Sequence, residues 1–102
     1  MTRKYVRNGK VAVLISHGFG AGWWTWNHNH IDMLFDPEVV QAVLDSNFKL
    51  AETLAKVKWP DAYLGGLDDL TVAWLEPGQR FYVHEYDGSE SLALADPREL
   101  EA

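Results

Sequence analysis

The sequence predicts an α+β fold: a small single domain over residues 1–102, in which a mostly antiparallel sheet, built from an N-terminal hairpin and a C-terminal meander, carries two helices packed on one face. Three observations lead there. An Asn8-Gly9 pair separates two strand-like runs, two helical stripes with their own start and stop signals fill the middle, and the last third alternates apolar and polar residues between turn dipeptides. The length of 102 residues matches one domain, since a chain of this size buries roughly two thirds of the surface its unfolded form exposes. Hydrophobic residues at 47% and charged residues at 24% fit a globular chain rather than a disordered one. There is no cysteine, which excludes a disulfide framework and a cysteine-based zinc site. Stability must then come from the core or from association into an oligomer.

Arg3 to Arg7, Asn8-Gly9 and Lys10 to Ile15 read as a β-hairpin, because Asn-Gly supplies the two positive φ values of a tight two-residue turn. The run Val11 to Ile15 is continuously apolar, as in a strand covered on both faces. It is too short for a secretory signal core or a membrane span, so the expected location is the cytoplasm. Asp36-Pro37-Glu38 has the form of a helix start, with Asp36 as N-cap and Pro37 in the first helical position. Val39, Val40, Val43 and Leu44 then form its apolar face. A second helix from Asn47 would place Leu50, Leu54 and Val57 on the inward stripe and Lys49, Glu52 and Lys56 toward water, and Trp59-Pro60 ends it. In the meander, Leu70, Val72 and Trp74 alternate with Thr71 and Ala73. Pro77-Gly78 suits a type II turn, Phe81 to Tyr86 alternates again, and Asp87-Gly88 turns into a short strand from about Ser91 to Ala95. From Asp96 the tail is expected to fray or form a helical stub.

The net charge of -6 is unevenly spread. Residues 1–60 carry seven basic and five acidic side chains, whereas residues 61–102 carry two and ten. An acidic chain lacks the basic surface that duplex nucleic acid requires.

The stretch from Ser16 to His30 concentrates function. It holds Gly18, Gly20 and Gly22, three of the five tryptophans and three of the four histidines, directly behind the apolar strand. Val11 to Gly20 looks like the His-Gly-x-Gly segment of α/β-hydrolases, whose backbone helps form an oxyanion hole. No Gly-x-Ser-x-Gly elbow follows, since Asp87-Gly88-Ser89-Glu90-Ser91 lacks the closing glycine, and the adjacent Ser16 and His17 would point to opposite faces of a strand. As a phosphate cradle, Gly18, Gly20 and Gly22 would turn amides inward in an anion-binding nest, but the spacing matches neither Gly-x-Gly-x-x-Gly nor a P-loop. The competing structural reading is that these glycines make room for tryptophans packing on the helices. His28, His30 and Asp32 stand at alternate positions, a spacing that would suit a metal on an extended segment, although no motif supplies a catalytic base. His84 reads as a sheet-face residue, and Trp59 and Trp74 as core.

Lys10 to Asn27, with Gly20, Ala21, Gly22, Trp23, Thr25, Trp26 and Asn27, together with Leu70 to Ser91, ending in Glu85, Tyr86, Asp87, Gly88 and Ser89, resembles a family of small proteins of unassigned activity encoded by tailed phages and prophages. The resemblance covers most of the chain and implies a genomic setting rather than a reaction: small accessory phage proteins act on host defence or metabolism by sequestering a nucleotide signal or binding a host protein. That two distant segments are both distinctive suggests that they meet. The leading expectation is a non-enzymatic, homo-oligomeric binding module without cofactor or bound metal. It would hold a small polar or nucleotide-like ligand at Gly18, Gly20, Gly22, Trp23, Trp26, Asn27, Glu85, Tyr86, Asp87 and Ser89, with the tryptophans stacking on the ligand. The alternatives are a host-protein-binding inhibitor acting through an exposed aromatic patch and a small metal-dependent enzyme using His17, His28, His30 or Asp32.

Overall fold

A computed structural model describes residues 3–18, 22–94 and 100–102. The strands are β1 (Val6–Arg7), β2 (Lys10–Ser16), β3 (Leu70–Leu75), β4 (Arg80–Tyr86), β5 (Ser89–Leu94) and β6 (Leu100–Glu101). The helices are α1 (Pro37–Leu44) and α2 (Phe48–Lys58), and one-turn 3-10 segments cover Trp24–Trp26, Ile31–Leu34 and Leu67–Asp69. Among the described residues, two helices and two three-stranded antiparallel sheets make this an α+β fold.

The N-terminal hairpin forms as the Asn-Gly pair requires, with Asn8 at φ 52° and Gly9 at φ 77°. β2 is the centre of the molecule. Its even residues Ala12 and Leu14 pack with Val39, Val40, Val43, Ala51, Ala55 and Trp59 of the helical layer. The odd residues Val11, Val13 and Ile15 pack with Leu34, Phe35, Phe81 and Val83. A strand apolar on both faces is thereby buried on both, and the layers run helices, first sheet, second sheet.

The expected meander is interrupted. β3 pairs with β2, from Val11 opposite Leu75 to Ser16 opposite Leu70, and β4 begins the second sheet, ordered β5-β4-β6. The physical reason lies in β2: its odd face stays wet unless the β4–β5 hairpin folds beneath it. Pro77-Gly78 makes the change of sheet, with Gly78 at φ 79° as a type II turn demands. The C-terminus departs from expectation as well, because Leu100–Glu101 is a strand on β4, fastened where Gly78 N–H donates to the Ala102 carbonyl (2.6 Å) and Ala102 N–H to that of Gln79 (2.9 Å). The strand after Asp87-Gly88 begins earlier, at Ser89, and Ala95 and the start of the expected tail lie outside the described residues.

Helix α1 starts as its sequence dictates, with the Asp36 carboxylate accepting from Val39 N–H at 3.1 Å. Helix α2 is capped by Asn47 accepting from Leu50 N–H, but it is rotated relative to the expected stripe. Ala51 and Ala55 are fully buried, Leu54 is half-buried, and Leu50 and Val57 are 44% and 77% exposed. The small side chains of Ala51 and Ala55 allow the helix to approach its neighbour closely; Leu54 packs beside them, and Leu50 and Val57 are left outside that contact.

Lys58, at the end of α2, reaches the start of α1, 2.7 Å from Glu38 and 3.3 Å from Asp36. The Lys58 hydrogen bond and charge hold the Glu38 carboxyl below its ordinary value of 4.5, and the Glu38 hydrogen bond raises Lys58 above 10.5. The Glu38 contribution is therefore complete at neutral pH and lost as pH falls through and below the ordinary carboxylate range, whereas that of Lys58 is lost only in strong alkali. Lys58→Met is expected to lower Tm by about 2–5 °C at pH 7 and by less at pH 3. Calorimetry at both pH values checks this, and equal losses would contradict it.

Candidate functional site

The β4–β5 hairpin turns on Asp87 (φ 52°) and Gly88 (φ 84°) and sets Glu85 directly opposite Glu90 on the face that carries Val83 and Leu92 into the core. Like charges so placed repel, and each finds separate donors. Glu85 accepts from Gly88 N–H at 2.6 Å. Glu90 is fully buried and accepts from Ser16 N–H (2.9 Å), Trp23 N–H (2.9 Å), Thr25 N–H (3.0 Å) and the Thr25 hydroxyl (2.9 Å). The amides of Ser16, Trp23 and Thr25 thus form an anion nest, built from other residues than the expected Gly18 and Gly22, and its anion is the chain's own carboxylate. One further tie joins the segments, from the Ser89 hydroxyl to the His17 carbonyl at 2.8 Å. The two distinctive stretches of sequence do meet.

The expected site residues separate into a buried and an exposed group. Trp23 is fully buried; its indole N–H donates to the Met33 carbonyl (2.6 Å), and its ring stands edge-on to Trp59 at 5.9 Å. It is a core residue and presents no face for stacking. Asn27 is buried as a brace: its amide nitrogen donates to the carbonyls of Trp23 (2.6 Å) and Tyr63 (2.9 Å), while its oxygen accepts from Tyr63 N–H (2.9 Å). Gly18 is half-buried in a bend, and Gly20 lies outside the described residues. Gly22 is buried at φ 108° under the Trp26 indole, where a side chain would collide with the ring. Trp26 is 53% exposed and Tyr86 70%. Asp87 is exposed, and Ser89 and Glu85 are half-buried.

Sequence reasoning missed Glu90, Tyr63 and the Gly65-Gly66 pair. The alternation that places Leu92 inward also places Glu90 inward, a signal available in the sequence. Tyr63, 49% exposed, lies over Gly65 as Trp26 lies over Gly22. Gly66 packs so closely that a Cβ there would overlap the Gly22 carbonyl and press on the Ser16 hydroxyl. Two half-exposed rings are therefore mounted on glycine backbone on either side of the Asn27 brace.

The candidate metal ligands diverge. The His28 ring stacks on Trp24 at 4.6 Å, His30 Nε2 lies 3.1 Å from Asp61, and Asp32 accepts from the Trp59 indole N–H at 2.9 Å. Among the described residues no group of three or more such side chains is placed to hold a metal ion. No helix among them is long and apolar enough to cross a membrane. Protein-family models, curated proteins and solved structures give no match to the chain.

Glu90→Gln turns an amide NH2 toward groups that are themselves donors, and is expected to cost roughly 2–4 kcal/mol of unfolding free energy. Gly66→Ala should cost about 2 kcal/mol or more, because the overlap is with backbone. By contrast, the Ser16 hydroxyl is buried without a partner among the described residues. Ser16→Ala should therefore leave stability within about 0.5 kcal/mol of the parent or raise it. Urea unfolding measures all three, and a Glu90→Gln variant as stable as the parent would refute the assigned network.

Proposed function

We propose that this protein is a non-enzymatic binding module that docks a basic surface of a partner protein on the face carrying Trp26, Tyr63 and the Tyr86–Ser89 turn. The observation that supports this best is the mounting of Trp26 and Tyr63: large rings, half-exposed, each lying over glycine backbone, with the main chain of Tyr63 held by Asn27. Rigid aromatic side chains give contact area at little cost in conformational entropy, which is why they dominate binding hot spots. Groups that would serve catalysis are instead committed to structure: Glu90 to four donors, Asp32 to Trp59, Asn27 to the loop.

Charge supplies the partner's chemistry. No lysine or arginine occurs in residues 11–48, 59–79 or 81–97. Asp61, Asp68, Asp69 and Asp87 are exposed in the segments that flank the rings. His17 joins two of these segments, its N–H donating to the Asp69 carbonyl and its carbonyl accepting from Ser89. Aromatic faces beside carboxylates suit arginine and lysine side chains, by cation–π attraction and ion pairing together. A small anionic ligand is less well served here, because Glu90 already takes the Trp23 and Thr25 amides. In the setting that the phage-family resemblance implies, the partner is a host protein that the module inhibits or remodels.

The immobilised protein, equilibrated with host-cell extract, should retain a stoichiometric partner that the double variant Trp26→Ala/Tyr63→Ala loses while its own Tm stays within about 3 °C of the parent. Raising salt from about 0.05 to 0.5 M should release that partner. Equal retention by parent and double variant would overturn the assignment of the face.

A further inference from the structure

At the other end of β2 the molecule carries a cation that its own fold holds ready. Of the hairpin cations, Arg3 and Lys10 are each paired with a carboxylate, Glu38 and Glu76, and Lys4 donates to the Glu101 carbonyl. Arg7 is different. Its guanidinium lies over Tyr5 and Trp74, 5.6 and 5.5 Å from the ring centroids, and donates one hydrogen bond to the Tyr5 hydroxyl at 3.0 Å. That hydroxyl donates to the Gln41 side-chain carbonyl (2.9 Å), and the Gln41 amide donates to Asp45 (3.1 Å), so the relay ends on helix α1. Among the described residues Arg7 has no carboxylate partner, which leaves most of its five N–H donors unused.

An open cavity of about 270 Å³ lies beside it, lined by Arg7, Asn8, Lys10 and Trp74. Its lining combines an oriented guanidinium fork, a second cation and an indole. Glu76 neutralises part of the Lys10 charge, so the fork on Arg7 is the principal anion-binding group. A guanidinium in fixed orientation matches the oxygens of a phosphate in a two-bond geometry, and the indole, which lines the cavity while the guanidinium lies over its ring, gives a flat ligand ring an apolar wall. We propose that this hairpin cavity is a second binding site, which takes a phosphate monoester attached to a flat ring, the chemistry of a mononucleotide. Arg7 and Lys10 hold the phosphate, Trp74 meets the ring, and Tyr5 and Gln41 act as positioning residues for Arg7. The site is independent of the aromatic face at the opposite end of β2.

Calorimetric titration with adenosine 5′-monophosphate, adenosine and inorganic phosphate tests it. The monophosphate should bind saturably, with adenosine and phosphate each about tenfold weaker or more. Arg7→Gln, an exposed substitution, should weaken the monophosphate by about tenfold with Tm unchanged within about 2 °C, and Gln41→Ala should weaken it several-fold without touching the ligand. Equal binding of adenosine and its monophosphate, unaltered binding by folded Arg7→Gln, or no saturable binding below about 10 mM would each overturn the proposal.

Discussion

A carboxylate with no solvent exposure is the constraint on which the rest of this structure depends. An ionised side chain leaves water at a cost of several kcal/mol unless its oxygens are fully hydrogen-bonded. Glu90 meets that condition with three backbone amides and one hydroxyl, drawn from Ser16, Trp23 and Thr25. These groups span the loop from the last residue of β2 to the first turn beyond the glycines. One side chain from the β4–β5 hairpin therefore ties the end of β2 to Trp23 and Thr25, and it does so across the boundary between the two sheets. The requirement runs both ways: the loop cannot relax without leaving a buried charge unpaired, and the hairpin cannot shift without taking the charge with it.

With the loop fixed from beneath, its tryptophans serve different ends. Trp23 turns into the helical layer, where its indole N–H finds the Met33 carbonyl and its ring meets Trp59. Trp26, three residues later, turns outward over Gly22. Asn27 couples Trp23 to Tyr63 by holding the carbonyl of the first and the backbone of the second at once. β2 then separates two surfaces of opposite character. Its C-terminal end leads into an aromatic, acidic face and its N-terminal end into a hairpin that presents an oriented arginine. The uneven charge along the chain has this spatial counterpart.

Local chemistry was legible in the sequence wherever one residue decides one conformation. Asn8-Gly9, Asp87-Gly88 and Pro77-Gly78 form their turns, Asp36 and Asn47 cap their helices, and the apolar run of β2 is covered on both faces. Choices between partners were not legible. Alternation in β3 and β4 is the same whether they pair with each other or with different sheets, and the burial of β2's second face decides it. In α2, close approach through Ala51 and Ala55 overrides the larger leucine and valine stripe. The glycine-tryptophan loop and the Glu85–Ser89 block stood out in the sequence, and the structure joins them through Glu90 and Ser89. The glycines suggested a nest for an external anion. The internal one, Glu90, is a single residue beyond that block; alternation with Leu92 turns it inward, but the donors that meet it there come from Ser16, Trp23 and Thr25, a pairing that no local pattern encodes.

The most direct test is amide hydrogen exchange read by NMR at Ser16, Trp23 and Thr25. The Trp23 and Thr25 amides lie outside any strand, yet with Glu90 as their acceptor they should exchange only on global unfolding, as slowly as the β2 amides of Val13 and Leu14. Exchange of Trp23 and Thr25 at rates typical of an open loop, with β2 still protected, would show that the buried carboxylate does not hold the site together.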